Sequence, residues 1–111
     1  MKSPRIFFED FLPRTMLDGL GISLPPGTVV AFHVEGPGGG DWQLVRTTKA
    51  TTVSVADQTP KDCEMWCSTE VFMQIVSGGL RANRAFLSGE LRIAGDVGLA
   101  LKLETILREA A

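Results

Sequence analysis

Few of the residues that usually carry chemistry occur in this sequence. Its 111 residues include one histidine, two cysteines and no tyrosine, and its formal net charge is −2. Nucleic-acid binding needs clustered Lys and Arg to neutralise phosphates, so a nucleic-acid partner is not expected. No run approaches the roughly 18 consecutive apolar residues that span a bilayer, so stable membrane insertion is not expected either.

The N-terminal segment MKSPRIFFEDFLPRT differs from a secretion signal, because acidic residues and a proline interrupt its apolar part. We therefore expect a cytoplasmic protein whose cysteines are reduced thiols. The length and the apolar fraction of 44% predict one folded domain over residues 1–111. Within it we expect an N-terminal helix and loop over 1–27 and a core of sheet and helices over 28–108.

Residues 6–20 have a loosely helical apolar pattern. Pro13 marks either the start of a helix or a kink in a longer one. A helix that lies on a membrane usually carries Lys and Arg on its polar face, whereas this one is mainly acidic. We therefore expect Phe7, Phe8 and Phe11 to pack inward.

Runs of β-branched and apolar residues, separated by turn residues, predict five strands. The predicted strands are 28–36, 41–48, 51–57, 62–68 and 89–95. Short turns join the first strands, so we expect antiparallel hairpins there.

Cap residues mark the later helices. Ser68 is expected to cap a helix that stops at Gly78, and a short helical turn is predicted at 83–89. Asp96 is expected to cap a last helix that runs to about Arg108. The order helix, four strands, helix, strand, helix predicts an α+β fold, with helices on one face of a mostly antiparallel five-stranded sheet.

The last helix carries an apolar stripe at 3.6-residue spacing, formed by Leu99, Leu103, Ile106 and Leu107. Val97 and Leu101 lie off this stripe, near Glu104 and Arg108, which can pair at i,i+4. Leu101 has two interpretations. It is either a partly exposed leucine of the ordinary kind, or part of a second apolar edge, with segment 6–12, where a partner or a second copy docks.

The glycine-rich segment EGPGGGDW at 35–42 invites comparison with a phosphate-binding loop. It lacks the Lys-Ser/Thr ending of such a loop, and Asp41 stands where a dinucleotide-binding motif needs its last glycine. Between two predicted strands, a hairpin turn is the favoured interpretation.

Cys63 and Cys67 raise the question of a zinc site, with His33 as a third ligand, or of a disulfide. On one strand they would lie about 13 Å apart on the same face, which excludes both. We expect Cys63, Met65 and Cys67 to be core residues, with Glu64 and Trp66 on the opposite face. No metal and no cofactor are predicted.

His33, the single histidine, is a possible general base, and Glu35 lies on the same face of its strand. A histidine in an apolar strand is more often structural. No Gly-x-Ser-x-Gly elbow accompanies it, and the carboxylates form no evident acid/base pair. An enzyme that uses His33 is therefore the least favoured hypothesis, and no enzymatic activity is expected.

The closing segment AFLSGELRIAGDVGLALKL at 85–103 is the most distinctive part of the sequence. It matches, position by position, a closing pattern of the sterol carrier protein 2 (SCP2) family. The glycine-rich turn at 35–42 and a strand that begins Asp-Cys at Asp62 also fit this family. The sequence therefore resembles a stand-alone, bacterial-type SCP2 member, over about residues 28–107.

This resemblance implies an apolar tunnel between the sheet and the helices, which takes sterols, fatty acyl chains or isoprenoids. Its lining, by position, would be Cys63, Met65, Cys67, Phe72, Ile75, Val76, Phe86, Leu87, Leu99, Leu103, Ile106 and Leu107. The first hypothesis is accordingly the non-enzymatic binding or transfer of an apolar lipid. The chain ends REAA, without the peroxisomal tripeptide of many animal members.

The alternative comes from a different class of protein. Some bacterial relatives are accessory proteins in quinone biosynthesis. The chain would then be an interaction subunit of a lipid or quinone biosynthesis assembly, with a collapsed tunnel. Its partner would be a lipid-pathway enzyme, or a second copy in a homodimer.

Overall fold

The computed structural model describes residues 3–16 and 24–110, and the side chains of 15–16 and 109–110 are not described. The predicted helix over 6–20 and the loop after it therefore lie partly outside the described residues.

The N-terminal helix is continuous through its proline. It comprises α1 (Pro4–Ile6), a π-helical turn (Phe7–Phe11) and α2 (Leu12–Met16). Ser3 caps its start, and its hydroxyl accepts a hydrogen bond from the Ile6 amide. The wide turn immediately precedes Pro13, which has no amide hydrogen to donate and whose ring crowds a preceding carbonyl. The helix thus widens at the proline instead of starting there.

All five predicted strands are present. They are β1 (Val29–Glu35), β2 (Gly40–Arg46), β3 (Thr51–Val55), β4 (Cys63–Ser68) and β5 (Arg92–Gly95). The last is shorter than its prediction, because Gly89 at φ +83° ends the preceding helix and the Leu91 amide bonds back to the Ala85 carbonyl.

The sheet order is β3-β2-β1-β4-β5. Three of its pairings are antiparallel, and β1 pairs with β4 in parallel, so the sheet is mixed and mostly antiparallel. The hairpin pattern of the first strands therefore stops at β3. The chain then crosses the sheet face away from the helices, where the Asp57 amide donates to the buried side chain of Gln43. Just before β4, the Asp62 carboxylate accepts a hydrogen bond from the Val29 amide, and the Asp62 amide donates to the Val29 carbonyl.

The later helices are α3 (Thr69–Ser77), α4 (Ala82–Ser88) and α5 (Val97–Ala110). The predicted caps are confirmed. Ser68 accepts from the Val71 amide at 3.1 Å, and Asp96 accepts from the Leu99 amide at 3.0 Å. Gly78 ends α3 at φ +89°, a left-handed conformation that glycine adopts without steric cost.

The core lies between one face of the sheet and the helices. Phe7 and Phe8 are fully buried, as predicted, whereas Phe11 is 36% exposed. The ring of Phe8 stacks on Trp42 with centroids 4.6 Å apart and also contacts Phe72 of α3. The N-terminal helix is therefore fixed to the same layer as α3 and α5.

Candidate functional site

An apolar cavity of about 30 Å³ lies inside the core. It is lined by Phe32, Val34, Met65, Cys67, Phe72, Ile75, Ala82, Leu91, Ala100, Leu103, Glu104 and Leu107. Eleven of the twelve lining residues are apolar, and the twelfth is a glutamate.

The floor of the cavity comes from the two central strands. Side chains alternate between the two faces of a strand, and the parallel register places Phe32 opposite Met65 and Val34 opposite Cys67. The four side chains therefore form a compact apolar block under the helices. Only a β1–β4 pairing brings them together, because these strands are separated in sequence by β2 and β3.

The roof comes from α3 and α5. Phe72 and Ile75 are three positions apart on α3, and Ala100, Leu103 and Leu107 follow at three and four positions on α5. Helical geometry puts residues at these spacings on one side of the helix. Ala82 at the start of α4 and Leu91 just before β5 complete the apolar part of the wall.

Glu104 is the one charged residue of the cavity wall, and it is 6% exposed. One carboxylate oxygen accepts from the Ala82 amide at 2.5 Å, and the other lies 3.3 Å from Nε of Arg81. This carboxylate therefore satisfies the first amide of α4 and ties α4 to α5. The pairing differs from the predicted one, which joined Glu104 to Arg108 within the helix.

Both cysteines are free thiols on the helix-facing side of β4. Burial raises the pKa of Cys67 to about 12. Burial, followed by the charges of Asp96, Glu64 and Asp62, raises the pKa of Cys63 to about 11. Both are neutral at physiological pH and act as small apolar groups, as the sequence predicts.

The cavity has room for about two water molecules, since a cavity of about 10–15 Å³ holds one. Pockets that take small ligands measure about 300–1,000 Å³. In this conformation the cavity is therefore too small for a lipid chain. A lipid chain would fit between the layers only after lining side chains move apart.

The sequence-predicted site residues fall into three groups. Half of them line the cavity: Met65, Cys67, Phe72, Ile75, Leu103 and Leu107. Cys63, Val76 and Ile106 are buried in the surrounding core, and Leu99 and Phe86 are half-buried. Leu87 does not line this cavity, because it is 82% exposed on the outer side of the short helix α4.

Sequence reasoning missed six wall residues: Phe32, Val34, Ala82, Leu91, Ala100 and Glu104. Phe32 and Val34 could have been found from the alternation of β1 once its pairing with β4 was known. Ala100 could also have been found, because it lies beside the predicted apolar stripe of α5. Nothing in the sequence pattern distinguishes Glu104 from a surface glutamate, because its partners lie on another helix.

His33 lies on the sheet face away from the cavity. Its Nδ1 is 2.6 Å from Oδ1 of Asp41 on β2, and its Nε2 is 2.9 Å from Oε2 of Glu64 on β4. Its ring also stacks on Trp66, with centroids 5.2 Å apart. Both ring nitrogens are engaged by carboxylates, and Glu35 is not the partner. The arrangement links three strands and leaves no free nitrogen to act on a substrate.

Within the described part of the chain, no group of three His, Cys, Asp or Glu side chains is placed to hold a metal ion. Over the same residues, no helix combines the length and the apolar character needed to cross a bilayer.

Two curated relatives resemble part of this chain. Hydroxysteroid dehydrogenase-like protein 2 of Bos taurus is 32% identical over 99 residues, which are 86% of this chain and 24% of the relative. Sterol carrier protein 2 of Homo sapiens is 34% identical over 83 residues, which are 72% of this chain and 15% of the relative. The chain thus spans a quarter or less of these longer proteins.

Solved structures share the fold. The sterol carrier protein domain 2 of Helicoverpa armigera has a TM-score of 0.68 at 25% identity, covering 97% of this chain and 91% of its own. Palmitated SCP2L2 of Aedes aegypti has a TM-score of 0.63 at 20% identity, with 95% and 94% covered. The UbiJ-SCP2 ubiquinone synthesis protein has a TM-score of 0.62 at 18% identity, with 93% of each chain covered.

The mixed sheet, α3, α4, most of α5 and the closing segment recognised in the sequence lie within one matched region, and the N-terminal helix precedes it. Residues 26–108 match the SCP-2 sterol transfer family, and the chain belongs to that family.

Proposed function

We propose that this domain binds an apolar lipid, such as a sterol, a fatty acyl chain or an isoprenoid, between its sheet and helices and transfers it without catalysing a reaction. The observation that carries the proposal is the cavity under α3 and α5, with eleven apolar wall residues out of twelve. Burying a lipid chain there would gain about 0.8 kcal/mol per CH₂. Membership of the SCP-2 sterol transfer family supports the same proposal.

Ligand entry requires the closed cavity to expand. We place the movement at α4, a helix of seven residues between Gly79 and Gly89 that contributes only Ala82 to the wall. Met65 on the floor has an unbranched, adaptable side chain that can repack around a ligand. These changes leave the five-stranded sheet intact.

Binding is tested with delipidated protein and a neutral, pyrene-labelled alkyl probe. The proposal predicts saturable binding of one probe per chain, and probe transfer from donor to acceptor vesicles that speeds up as protein is added. A fluorescence signal that never saturates, or that equals the signal from an unrelated protein of similar size, overturns it.

The alternative, an accessory subunit, is favoured by two observations. The cavity is small, and Leu101 on α5 and Ile6 on the N-terminal helix are 37% and 44% exposed. The likeness to a ubiquinone synthesis protein supports an assembly in a lipid or quinone pathway. A partner enzyme or a second copy would dock on the apolar edge.

The free thiols suit the reducing cytoplasm, which we propose as the compartment of the protein.

Sedimentation velocity tests the self-association form of this alternative. It predicts a concentration-dependent dimer that Leu101→Asp dissociates and that Leu87→Asp, a matched change at another exposed leucine, leaves intact. A monomer at all concentrations removes the homodimer and leaves lipid binding as the leading function.

A further inference from the structure

The two edges of the sheet differ in how they are protected against pairing with another strand. Edge strands that stay unpaired are usually short, charged, bulged or interrupted by proline. β5 fits this description, because it has four residues, begins with the exposed Arg92 and ends at Gly95 with φ +90°. β3, at the other edge, reads TTVSV, without a charge, a proline or a bulge in its register with β2. An unprotected edge of this kind is suited to pairing.

The backbone groups that β3 offers at this edge follow from its register with β2. In an antiparallel ladder, residues that bond to the partner strand alternate with residues that point away from it. The Ala56 amide donates to the Asp41 carbonyl at 3.0 Å, just beyond the last register pair. By alternation Ser54 also bonds to β2. The amides and carbonyls of Val53 and Val55 therefore point away from β2, toward the open edge.

The same edge is exposed and partly apolar. Val55 is 70% exposed, and Ser54 is also exposed. On the helix side, an open groove of about 310 Å³ lies beside the strand. It is lined by Phe8, Glu9, Pro13, Trp42, Val53, Ser54 and Val55. A strand laid along β3 would cover Val55 and the rim of this groove.

A second copy of β3 fits this edge by symmetry. With a two-fold axis at Ser54, an antiparallel copy places its own Val55 opposite Val53, and its own Val53 opposite Val55. Both pairs use the backbone groups that point to the open edge, and each pair exchanges two N–H···O bonds. The branched side chains become cross-strand neighbours on the groove side. Such self-complementarity is what a closed two-fold interface requires.

The charges beyond the two ends of β3 favour the same pairing. Lys49 precedes the strand by two residues, Asp57 follows it by two, and both are exposed. Antiparallel pairing of two copies brings the basic end of one strand beside the acidic end of the other. A parallel pairing would instead place like charges together.

We infer that β3 is a self-association surface, through which two copies of this domain join their five-stranded sheets into one across a two-fold axis. The interface is centred on a single pair of short strands, so the dimer is weak and forms at high protein concentration. It lies at a different place from the apolar edge around Leu101, and it does not depend on lipid binding.

Amide hydrogen exchange, followed by NMR in dilute protein and at about a hundredfold higher concentration, tests the pairing residue by residue. The amides of Val53 and Val55 should exchange about tenfold or more slowly in the concentrated protein. Those of Thr52 and Ser54 should be protected at both concentrations, because they bond to β2 within one chain. Sedimentation velocity over the same range should show the dimer.

Val55→Lys tests the edge itself, since a lysine on an edge strand opposes pairing with another strand. It should abolish both the dimer and the concentration dependence of exchange at Val53, and thermal unfolding checks that the variant is folded. Leu101→Lys, the same change at another exposed apolar residue, should leave the dimer intact. The exchange measurement on the unmodified protein decides the inference even if Val55→Lys does not fold.

Three outcomes overturn the inference. A monomer at every concentration removes the second copy as the occupant and leaves the edge to a partner protein. Protection of Val53 and Val55 in the dilute monomer would mean that the chain itself covers the edge. A dimer that Leu101→Lys dissociates, or that leaves the exchange at Val53 unchanged, assembles through another surface. Pyrene-probe binding is measured independently of all three, so the lipid-binding proposal is judged separately.

Discussion

The imidazole of His33 is held by Asp41 across the β1–β2 pair, with Nδ1 and Oδ1 2.6 Å apart, and Glu64 engages the other ring nitrogen from β4. Burial alone lowers the pKa of His33. The hydrogen bonds to the two carboxylates, and then their charges, outweigh burial and raise the pKa above its ordinary value of 6.5. The protonated ring therefore joins three strands electrostatically.

This relationship predicts a pH dependence of stability. A group whose pKa is higher in the folded than in the unfolded state stabilises the fold fully below its unfolded pKa. That contribution is lost as the pH rises through the folded-state pKa. The difference in free energy of unfolding between the unmodified protein and His33→Gln should thus be larger at pH 6 than at pH 9, measured by urea titration. A difference that is constant, or that grows with pH, contradicts this account.

Filling the cavity should block lipid uptake. Leu103 is fully buried in the roof, and Leu103→Trp occupies the space that a ligand needs, at a stability cost of about 1–3 kcal/mol. We expect pyrene-probe binding to fall at least tenfold. Leu87→Trp is the matched control, because Leu87 is exposed, and it should bind the probe normally. Normal uptake by Leu103→Trp would place the ligand elsewhere.

The two thiols should react slowly in the folded protein. With a pKa of about 11 for Cys63 and about 12 for Cys67, almost no thiolate is present at pH 8. Alkylation by iodoacetamide, followed by mass spectrometry of the peptides, should be at least tenfold slower in buffer than in urea. Equal rates in the two conditions would show that β4 is not held in the core.

Phe8 should anchor the N-terminal helix. It is fully buried and contacts the rings of Phe32, Trp42 and Phe72. Phe8→Ala should cost about 3–5 kcal/mol in free energy of unfolding. Phe11→Ala, at the partly exposed neighbour, should cost clearly less. The reverse order in urea denaturation would mean that the helix is oriented differently.

Local signals predicted most of the fold. Ser68, Gly78 and Asp96 mark helix ends by capping chemistry that depends on neighbouring residues alone, and all three predictions are confirmed. Alternation along β4 placed Cys63 and Cys67 on the core side, which is also confirmed. Such features require no knowledge of distant segments.

Features that depend on distant pairings were not predictable from one sequence. The parallel β1–β4 register, which places Phe32 beside Met65, arises from a crossover that no local pattern encodes. The burial of Glu104 depends on α4, and the carboxylates around His33 come from two other strands. Leu87 fits the family pattern by position, but helix α4 turns it outward.

The central claim, that this domain carries a lipid, is tested most directly by native mass spectrometry of the purified protein, followed by solvent extraction and identification of the extract. We expect a stoichiometric adduct that extracts as a hydrocarbon-rich lipid. A bare protein mass, combined with no uptake of added pyrene-labelled probe, would contradict it and favour the accessory subunit.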